Sequence, residues 1–266
     1  MSAATAQRAP GEPELHYLEA GEGNGTLALL HSLGTDSGIW TEQIDALAGE
    51  HRVLAPDSRG HGASGWRPPL DVGTWVADLD RVLDAAEVGT VTLVGLSMGG
   101  VQALAYAVER PERVGGLVLA DTFAELDPEL ARAKVEELAG QAEREGMAAL
   151  ADSYVRDTFT EPAPPERTAA VRDPIAAMAA DAYVASARAC FGARLGARLG
   201  DVRAPTLVLW GARDAKTPRA LSERLAAEIR DAALAEIPEA GHLSNLENPP
   251  GFTAAVAGFA AARERA

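Results

Sequence analysis

Short apolar runs recur along the chain at residues 26–31, 53–57, 91–95, 114–120 and 206–210, each running into Gly, Asp or His. Runs this short, and apolar without alternation, suit strands buried on both faces of a parallel sheet. Helical stretches follow at 40–50, 74–86, 98–110, 218–229 and 250–263. Strand and helix in alternation imply βα units, hence a mostly parallel central sheet flanked by helices. Residues 15–20 are expected to add an antiparallel edge strand at the start. At 266 residues and 47% hydrophobic side chains, the chain suffices for one large α/β domain, or a core with a small insertion.

The alternation stops after Asp121. Between about residues 123 and 200 the sequence is rich in Ala, Glu and Arg and reads only as helix, at 126–146, 147–159 and 167–194, with Pro162, Pro164 and Pro165 interrupting. Strand patterning resumes at Thr206. The expected organisation is therefore an α/β core over residues 14–121 and 201–264, with a helical cap inserted at 122–200.

A formal net charge of −15 argues against a nucleic-acid partner or an anionic membrane surface, because phosphate binding needs clustered Lys and Arg. The first dozen residues are polar and lack the apolar core of a secretory signal. No stretch approaches the roughly 20 apolar residues that span a bilayer. A soluble, cytoplasmic protein is expected. Cys190 is the single cysteine, so no disulfide can form within the chain, and its Ala-rich surroundings favour a buried structural role.

The chemistry is carried by the segment Val91-Thr-Leu-Val-Gly95-Leu96-Ser97-Met98-Gly99-Gly100. A buried strand runs into G-x-S-x-G and a helix follows at once, the context of a nucleophile elbow. The glycines permit a turn too tight for a Cβ, and the turn lifts the Ser97 hydroxyl above the strand ends. A hydroxyl is a weak nucleophile at neutral pH and needs a base. Behind such an elbow the chain order is nucleophile, acid, histidine. Of His16, His31, His51, His61 and His242, only His242 lies downstream of Ser97. His61 sits in a Gly-rich turn and reads as structural.

The acid is expected at a strand's carboxyl end between these two. Asp214, in Gly211-Ala-Arg-Asp214, occupies that place, and Asp121 is the rival. Its task would be to hold the imidazole tautomer and stabilise the imidazolium. An oxyanion hole needs two preorganised donors. The N–H of Met98, next to the nucleophile, is one, and the N–H of Leu33, in the loop after residues 26–31, is taken as the other.

Together these residues resemble the α/β-hydrolase superfamily, from about residue 15 to about residue 259. Within it, residues 31–40 (His-Ser-Leu-Gly-Thr-Asp-Ser-Gly-Ile-Trp), the elbow, and residues 240–249 (Ala-Gly-His-Leu-Ser-Asn-Leu-Glu-Asn-Pro) resemble the 3-oxoadipate enol-lactonase group. The resemblance implies the α/β-hydrolase fold with a catalytic triad of Ser97, Asp214 and His242 and oxyanion donors Leu33 and Met98. It also implies a metal-free enzyme that opens a small lactone or ester. No dinucleotide or phosphate-binding motif and no metal-ligand cluster is present in the sequence, so no cofactor is expected. General carboxylesterases, tailoring hydrolases and acyltransferases of secondary metabolism share these features. A small-molecule receptor with a vestigial triad is a further alternative. Substrate contacts are expected from the cap, at Phe123, Met147, Tyr154 and Phe159. If the substrate carries a carboxylate, Arg132, Arg144, Arg156 or Arg188 would grip it. The oligomeric state is open.

Overall fold

The apolar runs do become the core strands of the computed structural model, which describes residues 4–23 and 25–264. The strands are β1 (Thr5–Ala9), β2 (Leu15–Ala20), β3 (Thr26–Leu30), β4 (Arg52–Pro56), β5 (Val91–Leu96), β6 (Val114–Ala120), β7 (Thr206–Gly211) and β8 (Ala232–Ile237). They form one sheet in the order β1-β2-β4-β3-β5-β6-β7-β8. From β4 to β8 every neighbouring pair is parallel, whereas β2 meets β4 and β1 meets β2 in antiparallel register. Leu27, Leu29, Leu93, Val94, Leu117 and Val118 are all fully buried or nearly so, as a sheet covered on both faces requires.

After β3 the chain places β4 on one side of it and then returns to place β5 on the other. The reversal makes the β3–β5 boundary a topological switch point, where a crevice opens outside the carboxyl ends of the strands. Leu30 pairs with Gly95 there, so the loop after β3 and the turn after β5 emerge side by side.

Helices α1 (Thr41–Leu47), α2 (Val72–Ala85), α3 (Met98–Glu109), α7 (Arg219–Glu228), α8 (Ser244–Glu247) and α9 (Pro249–Glu264) belong to the sheet's flanks. α3 is buried from Met98 to Val108, and its Gly and Ala content lets it lie close against the strands. The Asp71 side chain caps α2 by accepting the Thr74 N–H.

Three helices lie between β6 and β7: α4 (Pro128–Arg156), α5 (Pro165–Ala177) and α6 (Ala180–Phe191). α4 breaks at Gly146, which takes φ 80°, so the two stretches read from sequence as 126–146 and 147–159 are separate directions of one element. The Leu195 N–H donates to the Ala124 carbonyl at 3.1 Å, joining the two ends of the segment that carries these three helices.

Three expectations need correction. Residues 15–20 are antiparallel but not at the edge, because β1 lies outside them. β1 reads Thr-Ala-Gln-Arg-Ala, too polar for the apolar-run criterion, and only Ala9 is buried. β8 was missed because Ala-Ala-Leu-Ala-Glu-Ile has the composition of a helix and little buried surface. The stretch 167–194 is two helices, since Met178 and Ala179 adopt extended ψ values of 145° and 131°. Neither Gly nor Pro marks that break. Among the described residues, no helix is long and apolar enough to cross a membrane.

Candidate active site

Ser97 sits between β5 and α3 with φ 54° and ψ −114°, a conformation that costs a non-glycine residue of the order of 1–3 kcal/mol. Its surroundings enforce it. The Ser97 N–H donates to the Ala120 carbonyl at 2.9 Å, and the Thr122 hydroxyl donates to the Ser97 carbonyl at 2.7 Å. A Cβ on Gly95 would strike the Gly99 carbonyl, and one on Gly99 would strike the Leu30 carbonyl. Both glycines of the motif are thus demanded by close backbone approach, not by loop flexibility.

From this turn the Ser97 hydroxyl lies 2.9 Å from His242 Nε2, and His242 Nδ1 lies 3.0 Å from Asp214 Oδ2. All three residues are under a tenth exposed. Asp214 leaves β7 through a turn in which its N–H donates to the Gly211 carbonyl at 2.8 Å. Its Oδ1 accepts the N–H groups of Lys216 (2.7 Å) and Thr217 (3.1 Å), and the Thr217 hydroxyl donates to Oδ2. Burial opposes ionisation of Asp214. The bond to His242, that ring's charge and the Thr217 donors outweigh burial and hold the carboxyl below its ordinary value. The arrangement orients one imidazole nitrogen toward a carboxylate and the other toward a hydroxyl, the geometry a general base requires.

The rival acid has a different place. Asp121 is fully buried, with Oδ1 accepting the Gly211 N–H at 2.7 Å and Oδ2 accepting the Ser244 hydroxyl. It braces the acid loop and the histidine loop from beneath. Burial first, and the charge of Asp214 second, push its carboxyl well above the usual range.

The loop after β3 turns at Gly34, φ 79°, where a Cβ would press on Ile175 and Tyr183. It is anchored by His31, whose Nε2 accepts the Ser58 N–H at 2.9 Å while Nδ1 donates to the Ser32 carbonyl at 2.8 Å. Leu33 therefore faces the same space as Ser97, and Met98 heads α3, whose N-terminus adds partial positive charge. The His61 ring lies tilted against His31 at 4.9 Å between ring centroids, and burial drives its pKa down to about 3, so it is a neutral packing element.

A cavity of about 200 Å³ opens over Ser97 and His242. Phe123 and Tyr154 line it, as expected from the sequence, and so do Tyr183, Cys190 and Phe191 of α6, which sequence reasoning passed over. Met147 and Phe159 do not. Met147 follows the Gly146 break, a turn short of the lining residues Leu150 and Tyr154, and packs partly buried against the core. Phe159 lies beyond the end of α4, in a separate cleft with Pro162 and Arg213.

The four arginines are elsewhere too. Arg132 and Arg188 line an outer cleft with Glu136, Arg156 pairs with Asp157 at 3.0 Å, and Arg144 lies beside Gly140. The cations that do line the cavity are Lys134 and Lys216. One signal for Lys216 was available: it stands two residues after Asp214. Among the described residues no group of three or more His, Cys, Asp or Glu is arranged to hold a metal.

The family described as the alpha/beta hydrolase fold matches residues 25–249. The chain is 30% identical over 248 residues to 3-oxoadipate enol-lactonase 2 of Acinetobacter baylyi, covering 91% of each. It is 34% identical over 261 residues to a Variovorax paradoxus protein provisionally named carbamate hydrolase RutD, covering 93% of this chain and 96% of the relative. The crystal structure of the enol-lactonase from Burkholderia xenovorans LB400 superposes with a TM-score of 0.87 at 32% identity, over 96% of this chain and 99% of that one.

Proposed function

The chain belongs to the alpha/beta hydrolase fold family, and on that premise we propose that it is a serine hydrolase that cleaves a small lactone or carboxylic ester through an acyl-enzyme. The observation that carries this reading is the continuous chain Ser97–His242–Asp214, at 2.9 and 3.0 Å, opening into a cavity lined by both apolar and polar side chains. Ser97 attacks the carbonyl as His242 Nε2 takes its proton, and Asp214 stabilises the imidazolium. The N–H groups of Leu33 and Met98 receive the oxyanion. His242 then protonates the departing alkoxide or enolate, and water, deprotonated by the same nitrogen, releases the acid. A cavity of about 200 Å³ favours a compact substrate over a long-chain ester.

The resemblance to enol-lactonases makes an enol-lactone the first substrate to try, and the relative named for carbamate hydrolysis adds a carbamate to the panel. Purified protein is to be assayed against aliphatic lactones, enol-lactones, p-nitrophenyl esters and a carbamate, with a fluorophosphonate probe in parallel. The reading requires one adduct on Ser97 and multiple turnover that drops on the order of 10³-fold or more in Ser97→Ala. Tight binding without multiple turnover would make the protein a receptor, and labelling at another serine would displace the site.

A further inference from the structure

The chain carries 24 Lys and Arg residues, and only two of them are lysines, Lys134 and Lys216. They come from different elements, α4 and the loop between β7 and α7, yet both line the cavity over Ser97. The arginines supply the ion pairs of the molecular surface, whereas neither lysine pairs with a carboxylate among the described residues. The ammonium groups rest instead on aromatic faces of the cavity wall. Lys216 Nζ stands 4.9 Å from the Tyr154 ring centroid and Lys134 Nζ stands 5.9 Å from that of Phe191.

Two like charges have thus been brought together over one cavity, Lys134 and Lys216 each partly buried. Burial lowers the Lys216 pKa first, and among its charged neighbours the repulsion from Lys134 acts most strongly, ahead of the attraction of Asp157, Asp214 and Glu137. Glu137 and Asp157 also line the cavity, but both are exposed, and Asp157 is held by Arg156. Asp214 is committed to His242 and Thr217. An anion entering the cavity would relieve this repulsion and meet an ammonium donor from each of two elements.

Resting on the hydrolase reading above, we infer that Lys134 and Lys216 form a carboxylate subsite, and that the substrate carries a free carboxylate at the end remote from its scissile carbonyl. The subsite fits a small dicarboxylic half-ester or a lactone bearing a carboxylate side chain.

The test compares kcat/KM for mono-p-nitrophenyl glutarate and for p-nitrophenyl pentanoate, which match in length and differ in charge. The proteins are wild type, Lys134→Met, Lys216→Met and, as a control cation on the outer cleft, Arg132→Met. Glutarate and inorganic phosphate are also titrated calorimetrically into Ser97→Ala with and without each lysine change. Each lysine variant should lower the glutarate-to-pentanoate ratio by about tenfold or more and weaken glutarate binding comparably, while Arg132→Met alters neither. An unchanged ratio and unchanged glutarate affinity in both lysine variants would overturn the subsite. Phosphate binding tighter than glutarate would overturn the carboxylate class. If no ester is turned over and Ser97 takes no label, the hydrolase reading fails, and the glutarate titration still decides the role of the lysines.

Discussion

Oδ1 of Asp121 accepts the Gly211 N–H at 2.7 Å, joining the end of β6 to the end of β7 across 90 residues. The same carboxyl accepts the Ser244 hydroxyl just beyond His242, so one buried group ties together both loops that present the acid and the base. Read from sequence, Asp121 was only a rival acid of little consequence once Asp214 was preferred. The structure gives it a bracing position, and Asp121→Ala would leave a buried N–H and a buried hydroxyl without their partner. The expected loss is about 2–4 kcal/mol of stability, read as a lowered urea midpoint at unchanged m-value. A midpoint equal to wild type would show that the brace carries no load.

Asp214→Asn is expected to fold and to lose roughly 10²- to 10⁴-fold in turnover, because the amide no longer holds the His242 tautomer. The pH dependence of stability has a definite sign. The folded carboxyl lies below its ordinary value, so its contribution is present above the unfolded value of about 4 and is lost as the pH falls through the lowered one. The stability difference between wild type and Asp214→Asn should therefore be largest near neutrality and shrink in acid. A difference that grows in acid would contradict the assignment of a depressed pKa.

The positive φ of Ser97 separates two otherwise similar knockouts. Ser97→Ala keeps a Cβ in the strained conformation, whereas Ser97→Gly releases it. Both should be inactive, with the glycine variant more stable by about 1 kcal/mol in thermal unfolding. Equal melting temperatures would mean that the elbow is not strained.

Burial pushes the Cys190 thiol up to about 12, so the thiolate that reacts with alkylating agents is scarce at neutral pH. Despite its place on the cavity wall, Cys190 should react slowly with iodoacetamide or a disulfide reagent in the native protein, and rapidly in guanidinium chloride. Fast native labelling would show that the cavity is wetter than its geometry implies.

Much of the architecture was open to sequence reasoning because it rests on local regularities. Non-alternating apolar runs mark strands buried on both faces, and the loss of alternation after Asp121 marks the helices that precede β7. β1 and β8 were not legible, since an outer strand buries little and so carries little apolar signal. The split between α5 and α6 falls at Met178 and Ala179, two good helix formers, where packing alone overrides propensity.

The sequence by itself determined the elbow, because G-x-S-x-G between an apolar strand and a helix has one way to turn: Gly95 and Gly99 leave no room for a side chain. It also narrowed the base to a single histidine, since only His242 follows Ser97 in the chain. Chain order also favoured Asp214 as the acid, but only the tertiary structure assigned the rival a task, because the packing of the loops sends the Asp121 carboxyl to Gly211 and Ser244 while Asp214 reaches the imidazole. The tertiary structure alone also decided which cations face the cavity. A helical segment such as α4 offers charged residues on every side, and the direction each one faces is set by how the helix packs over the sheet, which places Lys134 inside and Arg132 outside.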